Sequence, residues 1–284
     1  MRSDDSSKGG GLPSRFRLDG RTVILTGGAG LLGREYTRAL LAAGARVAVA
    51  DIDRAAAERV ALEAAATHGG IARGVGVDVS REEDLRHMVA DVLDQWGAID
   101  VLVNNAALDP KFDADVDQQQ NVPFEDYPLK LWQRSLDVNL TGAFLCAQHV
   151  GRVMRRQGRG VMVNVASIYG LVAPDQRIYR RPDETDQKLF KPADYAVTKA
   201  ALVQLTRYLA AYWGSVNIRV NTLTPGGVYN AQDEHFVEQY ASRVPLGRMA
   251  ERTELSDALL FLVSDASSYM TGANLVVDGG WTAW

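Results

Sequence analysis

Thr22-Val-Ile-Leu-Thr26 runs straight into Gly27-Gly-Ala-Gly-Leu-Leu-Gly33, and no other stretch restricts the fold of this chain as much. A short, apolar, β-branched run reads as a buried strand. Residues 34–43 carry apolar side chains at helical intervals and stop at Gly44. Glycines between such a strand and such a helix let the backbone turn tightly and approach a bound group closely. The free N–H groups and positive dipole end of the helix then favour an anion, above all a pyrophosphate. A chain that begins this way is committed to strand–helix–strand units and a parallel sheet.

The alternation continues. Strands are expected at 45–50, 75–78, 99–104, 161–165, 218–223 and 274–278. Helices are expected at 55–67, 81–96, 129–155 (for the most part), 194–213 and 254–264. No linker or change of composition divides the series. The expected fold class is therefore α/β: a single doubly wound Rossmann domain, with a seven-stranded parallel sheet and helices on both faces. It would span 16–284, behind a flexible N-terminal tail at 1–15. Two polar segments break the rhythm, at about 108–127 and 171–191. They leave the fourth and fifth strands at the end where open α/β sheets bind ligands, so both should wall a substrate pocket.

Composition narrows the function classes. The formal charge is −4, from 31 basic and 35 acidic residues, which argues against a nucleic-acid partner held by bulk electrostatics. A single cysteine, Cys146, allows no internal disulfide, and the four histidines lack metal-ligand spacing, so no metal is expected. Residues 1–11 lack the apolar stretch of a signal peptide, and no apolar run approaches the roughly 18 residues that span a bilayer. The expectation is a cytoplasmic protein without a membrane partner.

Asp51 closes the second strand at about the spacing of a ribose-binding acid. Its carboxylate would accept bonds from the ribose hydroxyls of NAD and repel the 2′-phosphate of NADP. Arg54 nearby could soften that rejection, so NAD is expected and NADP is less favoured. Tyr195-Ala-Val-Thr-Lys199 puts a phenol and an ammonium one helical turn apart on one face. A phenol has a pKa of about 10, and bringing it to about 7 takes roughly 4 kcal/mol. A nearby cation acts in that direction.

With these motifs in place, the chain from Arg21 onward resembles the short-chain dehydrogenase/reductase family. The resemblance rests on residues 26–33, Asp78-Val79, Asn104-Asn-Ala106, Asn139, Ser167, Tyr195 with Lys199, Pro225-Gly226 and Val277-Asp-Gly-Gly280. It implies Tyr195 as general acid/base and Lys199 as the group that lowers its pKa and holds the nicotinamide ribose. It implies Ser167 as hydrogen-bond donor to the substrate oxygen, and Asn139 as support for a water relaying protons from Lys199. The cofactor would meet Gly27, Gly30, Leu31, Leu32, Gly33, Asp51, Ile52, Asp78, Val79, Asn105, Ala106, Pro225, Gly226, Val228 and Asn230, besides Tyr195 and Lys199. A homotetramer is also implied.

The chain departs from the family pattern in places. Leu31 stands where a glycine is common, Ala107 replaces a glycine and Asn230 a threonine. Ser167 and Tyr195 stand about twice as far apart as usual. Residues 105–110, 167–177, 224–230 and 268–284 are similar to oxidoreductases associated with flagellin modification and nonulosonic (sialic-like) sugars. That implies a sugar-like small-molecule substrate, with or without a phosphate. Arg177, Arg180 and Arg181 could clasp a phosphate or carboxylate, or pair with Asp183, Glu184 and Asp186. Asp109, Tyr169 and Gln176 could bond sugar hydroxyls or simply stabilise loops. Three functions stay open: an NAD-dependent secondary alcohol dehydrogenase, a sugar epimerase or dehydratase with transient oxidation, and a non-catalytic nucleotide sensor.

Overall fold

Alternate residues of the central strands face opposite sides of a sheet, so a strand apolar throughout must be covered twice. In the computed structural model Val23 and Leu25 of β1 (Thr22–Thr26) face one side and Ile24 the other, and all are fully buried. The described residues are 13–109, 122–181 and 185–284. Most of the expected tail at 1–15, the middle of the segment at 108–127, and Asp183 and Glu184 lie outside them.

The other strands are β2 (Arg46–Asp51), β3 (Ile71–Gly76), β4 (Val101–Asn104), β5 (Gly160–Val165), β6 (Ile218–Pro225) and β7 (Asn274–Val277). They form one all-parallel sheet in the order β3-β2-β1-β4-β5-β6-β7. The order reverses between β1 and β4, which opens a crevice at the carboxyl ends of these two strands. One face is covered by α1 (Leu31–Ala42), α2 (Arg54–His68) and α8 (Ser256–Val263), whose Leu40, Val60 and Leu259 join Val23, Leu25 and Val49 in one core. The other is covered by α3 (Glu82–Trp96), α5 (Gly142–Gln157) and α6 (Ala193–Trp213), around Ile24, Leu102 and Met162. This is the doubly wound domain that the alternation predicts.

Some elements differ from the sequence reading. β3 begins at Ile71, four residues before the expected start, because this edge strand is half exposed and carries Arg73 and Gly74 where an apolar pattern would mark it. The long helix expected over 129–155 is α4 (Leu129–Ser135), then a π-helical stretch at Leu136–Thr141, then α5. The extra residue per turn reorients this stretch, a device frequent at functional sites, and it carries Asn139. α7 (Glu234–Ala241) escaped the sequence reading, although Asp233 caps it by accepting from the Phe236 N–H at 2.9 Å. Trp213 is buried in the core, whereas Tyr208 and Tyr212 are exposed and stacked with centroids 6.1 Å apart.

A third, smaller core lies beyond the sheet. Ile178 and Tyr179, from the segment at 171–191, pack with Tyr240, Val244, Met249 and Trp281. The segment is thus clamped onto α7 and the C-terminal residues instead of standing free, which fixes one wall of the site below.

Candidate active site

The glycine turn is packed to the backbone. Gly27 has φ +62°, and a Cβ on it would lie 2.8 Å from the Ala106 Cα. A Cβ on Gly33 would lie 2.2 Å from the Gly27 carbonyl oxygen, inside any tolerable contact. α1 starts at Leu31 with Gly30 as its N-cap, so no side chain satisfies the first N–H groups. Placing the glycine one position early thus makes Leu31 the first helical residue, and its side chain lines the cavity described below. Leu32 packs against the core.

Asp51 ends β2, and its Oδ2 accepts from the Ala29 N–H at 3.0 Å while Oδ1 accepts from the Asp53 N–H at 3.2 Å. It braces the turn. Ile52 beside it is exposed. Asn105 braces the turn from β4, donating to the carbonyls of Thr26 and Gly27 at 3.1 and 3.0 Å. Asp78 accepts from both the N–H and the hydroxyl of Ser80, and Val79 is buried. Gly226 follows Pro225 at the end of β6. Val228 bridges Ala250, and Asn230 accepts from Arg252 at 2.7 Å. The cradle that a Cβ would fill, the uncapped helix start and the carboxylate at the end of β2 together fit a nicotinamide dinucleotide.

At the end of β5, Ser167 opens a 3₁₀ turn (Ile168–Gly170) and accepts from the Tyr169 N–H at 3.2 Å. Gly170 lets this turn lie on α6, since a Cβ there would meet the Lys199 backbone at 2.7 Å. Ser167 and Tyr195 therefore come together despite the long insertion. Burial pushes the Tyr195 phenol well above its ordinary range, Asp109 pushes the same way, and a hydrogen bond from Ser167 opposes both. The sequence expectation was a phenol lowered by Lys199. The Lys199 ammonium instead donates to the Val165 carbonyl at 2.8 Å and lies 5.7 Å from the Tyr195 ring centroid.

Burial lowers Lys199 from 10.5 to about 8. The unfolded chain therefore holds this proton to higher pH, and Lys199 adds stability as pH rises from 8 to 10.5, its burial cost being full below 8. Relative to Lys199→Met, the wild-type unfolding free energy should rise by roughly 3 kcal/mol across that window. Urea titrations of the coenzyme-free proteins at several pH values measure this, and a flat difference would mean a solvated ammonium.

Asn139 is buried, and its side chain grips one residue from both sides: Oδ1 accepts from the Leu108 N–H at 2.7 Å and Nδ2 donates to the Leu108 carbonyl at 3.0 Å. It also reaches Thr198, the neighbour of Lys199, at 3.3 Å.

A cavity of about 520 Å³ opens beside these groups, lined among others by Ser167, Tyr195, Tyr169, Tyr179, Asp109 and Lys191. The Tyr169 hydroxyl is 2.9 Å from that of Tyr179. Two of the expected substrate residues stand elsewhere. Arg177 is exposed, forms a bidentate pair with Asp175 at 2.8 and 2.9 Å, and does not line the cavity. Gln176 turns to the backbone of Lys191, donating to its carbonyl at 3.0 Å and accepting from its N–H at 2.8 Å. Sequence reasoning missed Lys191 itself. It is buried, pairs with Asp109, and holds its ammonium 4.2 Å from the Tyr195 ring centroid. A second cavity, of about 410 Å³, is lined by groups such as Arg21 with Asp265 and Arg159 with Asp100, already paired, and shares no residue with the first. Among the described residues no cluster suits a metal ion, and no helix is long and apolar enough to cross a membrane.

Comparison with known proteins decides the family. Residues 21–179 match the family model described as short chain dehydrogenase. The chain belongs to the short-chain dehydrogenase family. Residues 185–282 match a second model, described as enoyl-(acyl carrier protein) reductase. A 2,5-dichloro-2,5-cyclohexadiene-1,4-diol dehydrogenase of Sphingobium indicum is 36% identical over 274 residues, covering 94% of this chain and 98% of that protein. A D-threitol dehydrogenase of Mycolicibacterium smegmatis is 33% identical over 272 residues, covering 94% and 95%. Among solved structures, a gluconate 5-dehydrogenase from Burkholderia cenocepacia in complex with NADP and tartrate superposes with TM-score 0.80 at 30% identity, covering 95% of this chain and 98% of that one. An NAD+-bound xylitol dehydrogenase does so with TM-score 0.80 at 29% identity, covering 92% and 99%. This short-chain dehydrogenase thus has relatives among alcohol-oxidising enzymes, and both nicotinamide coenzymes occur among its structural neighbours.

Proposed function

We propose that this short-chain dehydrogenase interconverts a secondary alcohol and a ketone on a sugar, polyol or related polyhydroxylated molecule, with NAD as coenzyme. The carrying observation is that Ser167 and Tyr195 line one cavity, with Lys199 a helical turn below, next to the packed glycine turn. When bound, the nicotinamide supplies the two-electron, hydride-accepting chemistry. Tyr195 takes the hydroxyl proton as the carbinol C–H bond breaks, and Ser167 donates a hydrogen bond to the substrate oxygen, stabilising its alkoxide-like charge. In reduction the protonated phenol favoured by burial is the acid.

Asp51 at the end of β2 would repel a 2′-phosphate, and Arg54 is engaged with Glu58 at 2.9 Å, so NAD is preferred to NADP. A relay from Lys199 to solvent near Asn139 belongs to the same reading, supported by the Asn139–Thr198 bond. So do a cytoplasmic location and a homotetramer, the latter supported by the exposed Tyr208 and Tyr212 pair on α6. A nonulosonic sugar is the narrowest form of this substrate class.

The test is direct. Purified protein is mixed with NAD or NADP and a panel of polyols, aldonic acids and nonulosonic sugars. Reduced nicotinamide absorbance should rise with NAD on at least one polyhydroxylated substrate. Coenzyme binding without turnover across the panel would favour a nucleotide sensor, and a changed sugar without net reduced coenzyme an epimerase or dehydratase.

A further inference from the structure

The Asp109–Lys191 pair lies in the same cavity beside the proton-transfer group, and no step proposed above is assigned to it. Each partner is held by a separate clamp. Asn139 grips both backbone groups of Leu108, the residue before Asp109. Gln176 grips both backbone groups of Lys191, and Gln187 in turn donates to the carbonyls of Gln176 and Leu189 at 2.6 and 2.8 Å. The two partners are 82 positions apart, and both segments are braced before any ligand arrives. The entropy of ordering these groups is therefore spent on folding and not on binding.

Their exposures differ. The Lys191 side chain is 6% exposed, with its ammonium over the Tyr195 ring, while the Asp109 side chain is 56% exposed on the same cavity. A carboxylate has about four lone-pair positions, and the ammonium takes one. Lys191 thus fixes and partly neutralises Asp109, leaving acceptor capacity that faces the cavity. A fixed, partly exposed acceptor of this kind suits a hydroxyl donor.

We propose that Asp109, held by Lys191, accepts a hydrogen bond from a second hydroxyl, one or two carbons from the carbinol that Tyr195 deprotonates. The site then reads a diol or polyol in preference to a mono-alcohol. This rests on the dehydrogenase reading above and narrows its substrate class. Lys191, acting through Asp109, is a positioning residue. Gln176, through Lys191, is another.

The experiment compares kcat/KM for butane-2,3-diol with that for butan-2-ol, using wild type, Asp109→Asn and Lys191→Met, with D-gluconate as an anionic probe. The wild type should prefer the diol. Either substitution should reduce the diol-to-mono-alcohol ratio about tenfold or more, because a hydrogen bond to a charged group is being lost. A merely structural role would lower both rates and leave their ratio in place, which would overturn the proposal. So would a wild type that oxidises butan-2-ol as well as the diol, although the dehydrogenase reading would then stand. Loss of D-gluconate turnover in Lys191→Met, with a gain in Asp109→Asn, would replace the diol site with an anion site. If no probe or polyol is oxidised with either coenzyme, the dehydrogenase reading falls first.

Discussion

Tyr195→Phe should lower kcat/KM for alcohol oxidation about a thousandfold while the protein stays folded. A positioned acid/base contributes roughly 10² to 10⁴ in rate, and the groups nearest this phenol are engaged elsewhere, Asp109 and Lys191 with each other. Ser167 is a poor acid, the Lys199 ammonium is turned to the Val165 carbonyl, and the Tyr169 hydroxyl is bonded to Tyr179. The ring itself belongs to the small core around Ile168, Tyr179 and Tyr240, and phenylalanine keeps that packing. Removing one buried hydroxyl whose partner is another hydroxyl costs on the order of 1 kcal/mol, too little to unfold a domain of this size. Steady-state rates from nicotinamide absorbance, together with a thermal melt, check both halves. A variant with full rate would remove Tyr195 from the chemistry, whereas a variant that melts far below wild type would leave its rate uninformative and call for Tyr195→His as a second probe.

The parts of this molecule that could be read in the sequence are those governed by neighbours along the chain. β1 and the glycine turn sit within a dozen residues, and local spacing specified both, although α1 starts at Leu31, three residues before the expected start at 34. Tyr195 and Lys199 share a helix face for the same reason. What could not be read depends on contacts between distant residues. Lys191 was one charge among several in a mixed segment, and nothing near it in sequence marks Asp109 as its partner. Gln176 looked like a sugar-binding amide because amides do bind hydroxyls, yet its two bonds to the Lys191 backbone make it a brace. Arg177 looked like an anion clasp, but it pairs with Asp175, two residues away, at the surface and outside the cavity. Helical spacing places Lys199 near the phenol without saying where its ammonium points, and it points to the Val165 carbonyl.

The second large effect is expected at the turn. Gly33→Ala should weaken dinucleotide binding about a hundredfold or more and lower the melting temperature by several degrees. The added methyl would stand 2.2 Å from the Gly27 carbonyl and 2.7 Å from the Gly28 Cα, both backbone atoms that no rotamer change can move. Gly27 cannot retreat, because the Ala106 backbone lies behind it and Asn105 binds its carbonyl. The first turn of α1 must therefore lift away from β1. Overpacking of this kind costs roughly 1–3 kcal/mol, or about 2–4 °C per kcal/mol in a domain of this size. The functional loss should be larger than the stability loss, because the N–H groups at the start of α1 would no longer be aimed at the pyrophosphate. Gly30→Ala supplies the internal comparison. Its φ is −72° and its nearest neighbour would be the Gly27 carbonyl at 3.3 Å, so it should weaken binding far less than Gly33→Ala does. Coenzyme titrations followed by protein fluorescence rank the two. Equal losses would mean that any added methyl disturbs the turn, and unchanged binding in Gly33→Ala would mean that the pyrophosphate does not rest there.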